Sequence, residues 1–240
     1  MTCIESMKSD MTIDVIPFPA LPNNFIMLVC GARYTGKSTV IRNIINDCEW
    51  SSIQVYTPCE DYDNVIFRNP LVTVSKLPTP EQLSRSWRDH KFRSKCEKDS
   101  RKLIVLDDCS PLMHGALLGE YEQLLSNAND NNVSVIVSAQ SIHQEPFPTK
   151  FNYFALTATQ SSQEKVFDMC NLVRFYDNFE TQNKYHAEAL DMFQKDMAAI
   201  KKQSYGLLLL DMVTKKVQTF LPYGKAQTYQ PPSQSYCTIQ

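Results

Sequence analysis

Glycines are scarce in this chain, six in all, and two of them stand in Gly31-Ala32-Arg33-Tyr34-Thr35-Gly36-Lys37-Ser38. The segments on either side leave that octapeptide few ways to fold. Before it runs Phe25-Ile-Met-Leu-Val-Cys30, an apolar stretch that reads as a buried strand. After it, Thr39 to Asp47 puts Val40, Ile41, Ile44 and Ile45 on one helical face. A strand that turns so sharply into a helix needs glycine's freedom, and the turn then points successive backbone N–H groups inward. The helix beginning near Lys37 aims its positive end at the same place. Spacing and context together are those of a P-loop, which holds a nucleoside triphosphate. Lys37 is expected to bridge the β- and γ-phosphates, and the Ser38 hydroxyl to ligate Mg²⁺. The expected contacts to ATP run through Gly31, Ala32, Arg33, Tyr34, Thr35, Gly36, Lys37, Ser38 and Thr39. The plain structural alternative is a glycine-rich turn with a solvated lysine.

Such a loop needs an acid at the end of a neighbouring strand. Leu103-Ile-Val-Leu106 is a short buried strand, and Asp107-Asp108 follows it directly. Asp107 is the candidate carboxylate for Mg²⁺, and Asp108 the group that orients the attacking water. The competing reading is a strand end followed by a helix cap. A third element, Val133-Ser-Val-Ile-Val-Ser-Ala-Gln140, reads as a central strand that ends on a polar residue. Ligands of open α/β sheets bind at the carboxyl ends of the strands. Gln140 is therefore a candidate for contact with the γ-phosphate or the water; otherwise it is an ordinary polar residue leaving a strand.

At 240 residues one α/β domain with ample core is expected. The net charge of -2 excludes a generally polyanion-binding surface but allows local basic ones. Eight cysteines are scattered without CxxC spacing, which points to reduced intracellular thiols rather than a zinc site or disulfide framework. The longest apolar runs are too short to cross a bilayer, and no secretory signal is visible.

Along the chain, residues 1–24 read as an N-terminal arm, 25–225 as the nucleotide-binding domain, and 226–240 as a flexible polar tail rich in Gln, Ser, Tyr and Pro. Further strands are expected at Ile53–Thr57, Leu71–Ser75 and Phe151–Leu156. Helices are expected at Pro80–Phe92, Gly115–Ala128, Glu164–Val173 and Lys184–Ile200. Tyr205–Asp211 and Lys216–Leu221 flank a polar turn and read as a hairpin. Strands alternating with helices imply a mostly parallel sheet with helices on both faces. Between Arg85 and Lys102 lie Arg85, Arg88, Lys91, Arg93, Lys95, Lys98, Arg101 and Lys102, with Trp87 and Phe92 interleaved. This is either a surface for nucleic-acid phosphates or a solvated helix face and loop.

Gly31 to Ser38, the paired aspartates after Leu103–Leu106, and Val135-Ile-Val-Ser-Ala-Gln140 together resemble the FtsK–HerA superfamily of P-loop ATPases. Within it, the chain looks most like the genome-packaging ATPases of large DNA viruses and virophages. The resemblance covers Phe25 to Gln140 by motif. It implies a RecA-like core, a homo-oligomeric ring (often a hexamer) on double-stranded DNA, and ATP-driven translocation of that DNA into a capsid. Implied with it are capsid or portal-vertex partners and a place inside a virus-infected cell or associated with the virion. Members of that family tend to carry an arginine just ahead of the glutamine strand. Here Ser126-Asn-Ala-Asn-Asp-Asn-Asn132 holds no basic residue, so Arg33 in cis or Arg174 in trans becomes the candidate. Two other classes stay open: a nucleoside or nucleotide kinase, and an assembly subunit that binds nucleotide with little turnover. A signalling GTPase is set aside, because Asn183-Lys-Tyr-His186 lacks the aspartate that reads guanine.

Overall fold

The computed structural model describes residues 21–58, 69–96, 100–109, 114–157, 184–202, 206–214, 216–220 and 227–228. The arm up to residue 20, the helix expected over Glu164–Val173, Arg174 and the tail beyond 228 lie outside the described residues.

The first strand, β1 (Ile26–Cys30), is buried throughout and leads into α1 (Lys37–Asp47). Then come β2 (Ser52–Tyr56), β3 (Val72–Ser75), α2 (Pro80–Cys96) and β4 (Lys102–Leu106). A 3-10 turn at Gly115–Leu117 opens α3 (Leu118–Asn127), which is followed by β5 (Val133–Ala139) and β6 (Tyr153–Leu156). The chain continues through α4 (Lys184–Lys201), β7 (Leu207–Asp211), β8 (Lys216–Phe220) and the short β9 (Gln227–Thr228). The nine strands among the described residues form one sheet in the order β3-β2-β4-β5-β1-β6-β7-β8-β9. From β3 to β6 every pairing is parallel. The expected hairpin is present as β7–β8, and with β9 it makes an antiparallel extension on the β6 side.

The central strands are apolar without alternation because both of their faces are covered. In β1, Met27 and Val29 join the layer formed with Val40, Ile41, Ile44 and Ile45 of α1. Leu28 and Cys30, alternating with them, join the opposite layer with Trp87 of α2, Tyr121 and Leu124 of α3, and Phe193 and Met197 of α4. Helices thus lie on both faces. Fully burying an isoleucine contributes about 1.5–3 kcal/mol, so Ile41, Ile44 and Ile45 alone fix α1 firmly against β1. That anchoring matters for function, because it holds the first turn of α1 at the carboxyl end of β1. No helix among the described residues is long and apolar enough to cross a membrane.

Candidate functional site

Parallel pairing brings the carboxyl ends of β1, β4, β5 and β6 to one edge of the sheet. The strand order decides which loops meet there. Because β5 lies between β1 and β4, Gln140 emerges between the P-loop and the aspartate pair. At ordinary strand spacing β1 and β4 are about 10 Å apart, and the span between them is framed by the end of β5.

The P-loop leaves β1 with the Gly31 N–H donating to the Ala139 carbonyl at 3.1 Å. Gly31 is required by close approach: a Cβ here would lie 1.7 Å from Thr157 Oγ1. Gly36 has φ 96, a left-handed conformation that costs glycine little, and from it the chain enters α1. Lys37 is the first residue of that helix and is buried, and its ammonium donates to the Gly31 and Ala32 carbonyls at 3.0 and 3.1 Å. Thr35 Oγ1 donates to the Ala32 carbonyl at 2.8 Å. Ser38 and Thr39 follow in the first turn and are half-buried. Arg33 and Tyr34 form the exposed crest of the loop, and Tyr34 has φ 62 with its ring 97% accessible. Arg33 is near enough in sequence to act in cis, while Arg174 cannot be placed.

Across the edge, Asp107 is 2% exposed, and its N–H donates to the Tyr56 carbonyl at 2.9 Å. Its Oδ1 accepts a short hydrogen bond from Ser138 Oγ. The same Ser138 oxygen accepts the Asp108 N–H at 2.9 Å. Asp108 takes a left-handed turn, φ 52, which aspartate tolerates better than most residues. Gln140 Nε2 donates to Asp108 Oδ2 at 3.5 Å. Both the Gln140 and the Ser141 N–H donate to Gln144 Oε1, at 3.2 and 3.3 Å. The three sequence candidates Asp107, Asp108 and Gln140 therefore form one connected set.

Burial keeps two flanking thiols protonated. It pushes the Cys30 thiol up to about 12, although Lys37 beside it pulls the other way. Burial, with Asp107 and Asp108 adding to it, also pushes the Cys109 thiol up. Behind the site, Tyr121 donates to Glu145 Oε2 at 2.6 Å, and Glu145 Oε1 accepts the Phe147 N–H at 3.0 Å. This buried pair ties the segment after Gln140 to α3.

Sequence reasoning missed Ser138, Gln144, Thr35 as a side-chain donor, and Thr157. For Ser138 a signal existed: a hydroxyl in a strand apolar on both faces must find a buried partner. The asparagine run before β5 proves to be structural. Asn132 adopts φ 55. Asn24 Nδ2 donates to the Asn129 carbonyl and to Asn132 Oδ1 at 3.0 and 3.2 Å, and Asn131 Nδ2 donates to the Asn127 carbonyl at 2.6 Å. This run lies at the amino end of β5, the edge opposite this chain's own P-loop.

The basic stretch is partly spoken for. Arg101 lies over the Trp50 ring at 4.7 Å and donates to the Asn23 and Pro22 carbonyls at 3.1 and 3.3 Å. Arg88 donates to Gln123 at 2.9 Å and faces Glu120 at 3.7 Å. Arg85 and Lys102 line a polar groove with Ser52, Gln54, Asp89 and His90. The side chains of Lys91, Arg93, Lys95 and Lys98 lie outside the described residues.

Mg²⁺ prefers oxygen ligands and keeps much of its water. Ser38 Oγ and the Asp107 carboxylate suit it, since Asp107 Oδ1 is already held by Ser138 and the carboxylate is fixed in direction.

No family model matches the chain. An uncharacterized protein of Acanthamoeba polyphaga mimivirus is 26% identical over 214 residues, which span 83% of this chain and 79% of that protein. Among solved structures, the genome packaging NTPase B204 from Sulfolobus turreted icosahedral virus 2, in complex with ATP-gammaS, superposes with a TM-score of 0.54. That match has 12% identity and covers 84% of this chain and 99% of B204. The crystal structure of B204, the DNA-packaging ATPase from Sulfolobus Turreted Icosahedral Virus, superposes with a TM-score of 0.53 at 13% identity, over 85% of this chain and all of that one. The chain therefore shares the α/β fold of these two proteins over most of its length.

Proposed function

We propose that this chain is an ATPase that moves double-stranded DNA, most simply into a viral capsid, and that it works as a homo-oligomeric ring. The observation that carries the reading is the placement of Lys37, Asp107, Asp108 and Gln140 at adjoining loops of one sheet edge, with Ser138 joining the two aspartates. The shared fold with a packaging NTPase supports the same reading.

In this reading the P-loop amides and Lys37 neutralise the triphosphate. Ser38 and Asp107 would hold Mg²⁺, which when bound would supply positive charge against the triphosphate. Asp108 takes a proton from the attacking water, and Gln140 holds the Asp108 carboxylate toward it. Arg33, exposed on the crest of the loop, supplies positive charge from the same subunit; Arg174 is the candidate for the neighbour's site. Capsid or portal-vertex proteins are the partners that this activity calls for, in an infected cell or on the virion.

The test is ATP hydrolysis by the full chain with and without duplex DNA, alongside Lys37→Ala. Hydrolysis that rises with duplex DNA and disappears in Lys37→Ala is expected. Rapid phosphoryl transfer to a nucleoside with no response to DNA would refute the reading in favour of a kinase. Lys37-dependent binding without turnover would leave an assembly subunit.

A further inference from the structure

Thr157 follows β6 directly and is completely buried, at the carboxyl end of the strand that flanks β1 on the side away from β5. Its N–H donates to the Cys30 carbonyl at 2.8 Å, which extends the β1–β6 ladder by one residue. Its hydroxyl lies 2.6 Å from Thr35 Oγ1 and 3.3 Å from the Cys30 carbonyl. Thr35 Oγ1 in turn lies 2.8 Å from the Ala32 carbonyl.

Each hydroxyl has a single proton to give, so two threonines cannot donate in all three contacts. With Thr35 donating to the Ala32 carbonyl at 2.8 Å, the 2.6 Å contact between the hydroxyls takes the Thr157 proton in preference to the longer, 3.3 Å donation to the Cys30 carbonyl, which already accepts the Thr157 N–H. The Ala32 carbonyl also accepts the Lys37 ammonium at 3.1 Å. The relay from β6 therefore ends on an oxygen that anchors the lysine. Thr157 Oγ1 also fills the space that a Cβ on residue 31 would take, so the loop is gripped at its start and at its middle by one hydroxyl.

We propose that Thr157 is a positioning residue for the P-loop, setting the Ala32 carbonyl and through it the Lys37 ammonium for the phosphates of a nucleoside triphosphate. It makes β6 a mechanical partner of the nucleotide loop. The mention of nucleotide rests on the ATPase reading; the mechanical link does not.

Two readouts on the full chain test it, using Thr157→Val, which keeps the shape and loses the hydroxyl, and Thr157→Ser, which keeps the hydroxyl. In amide hydrogen exchange without nucleotide, Thr157→Val is expected to speed exchange across residues 31–38 while α4 stays at its wild-type rate, and Thr157→Ser to restore the loop. In titration with Mg²⁺ and a slowly hydrolysed ATP analogue, Thr157→Val is expected to bind about tenfold more weakly, a loss of about 1.4 kcal/mol. Thr157→Ser is expected to stay within about twofold. Unchanged loop exchange in Thr157→Val overturns the proposal, as does faster exchange spread evenly over the whole chain, or equal losses in the two variants. Wild-type binding that does not depend on Lys37 overturns the ATPase reading instead, and the exchange measurement then decides the role of Thr157 alone.

Discussion

Ser138→Ala should damage the site more than the loss of one small side chain suggests. Ser138 is fully buried in β5, and its oxygen donates to the Asp107 carboxylate while accepting the Asp108 N–H. Hydrogen bonds to charged groups contribute about 1.5–3 kcal/mol, and stranding a buried donor costs about another 1 kcal/mol or more. The sum, about 2.5–4 kcal/mol, corresponds to a fall in melting temperature of roughly 5–16 °C for a domain of this size. Hydrolysis should fall further than affinity does, because a carboxylate displaced by about 1 Å can cost as much as a hundredfold in rate. The decisive assay is a double-mutant cycle with Asp107→Asn, read by urea unfolding and by steady-state ATP hydrolysis. With a neutral acceptor the Ser138 bond is worth only about 0.5–1.5 kcal/mol, so the two substitutions should couple by about 1 kcal/mol. Additivity to within about 0.5 kcal/mol, the level seen for independent sites, would refute the argument that Ser138 acts through Asp107.

Gly31→Ala must push against Thr157 Oγ1 at 1.7 Å and Thr35 Oγ1 at 2.8 Å. Both belong to stiff β-branched side chains, so a loss of about 1–3 kcal/mol is expected in thermal melts, together with loss of nucleotide binding. Tyr34→Gly should instead stabilise the chain: relief of the left-handed strain at φ 62 is worth about 1–2 kcal/mol, against about 0.5–1 kcal/mol of glycine entropy. A melting temperature below that of the wild type would contradict this. Glu145 gives a pH signature. Burial raises its folded-state pKa above glutamate's usual 4.5, so the folded chain holds that proton more tightly than the unfolded one does. Wild-type stability from this group then falls as pH climbs past 4.5 through the raised value. Urea titrations at pH 4.5 and 7.5 should accordingly show Glu145→Gln gaining on the wild type at the higher pH; a difference that is flat or runs the other way would contradict it.

The local parts of this protein were legible in the sequence because each is written in adjacent residues. The glycine pair, the apolar run before it and the amphipathic α1 after it lie within one short stretch, and Asp107 and Gln140 each end an apolar run. The strand order was not legible. The central strands are all apolar on both faces, so a periodicity of two carries no information about neighbours. That β5 lies between β1 and β4 depends on pairing Ile26 with Val135 and Ile104 with Val135, residues far apart in the chain. For the same reason Ser138 and Thr157 went unread, since their partners lie in the loops that follow other strands.

Composition is equally silent on which basic side chains are already engaged. Eight basic residues in one stretch look like a surface for polyanions only if their side chains are uncommitted. Arg101 is held by a ring face and two carbonyls, and Arg88 by α3. A guanidinium stacked on Trp50 contributes packing as well as charge, so its position in the sequence reflects closure of the sheet's amino edge. Arg85 and Lys102 face a groove that also holds Asp89, and the local excess there is smaller than the composition implies. In the proposed ring the arithmetic would be different. Each subunit need present only a few uncommitted cations to a shared channel, because the potential in a channel is the sum over subunits. The proposed site chemistry and the proposed DNA surface are therefore separable in this chain. The first rests on Lys37, Asp107, Asp108 and Gln140, held by hydrogen bonds at the carboxyl edge of the sheet, and the second would draw on cations that the fold does not commit to carbonyls, rings or carboxylates.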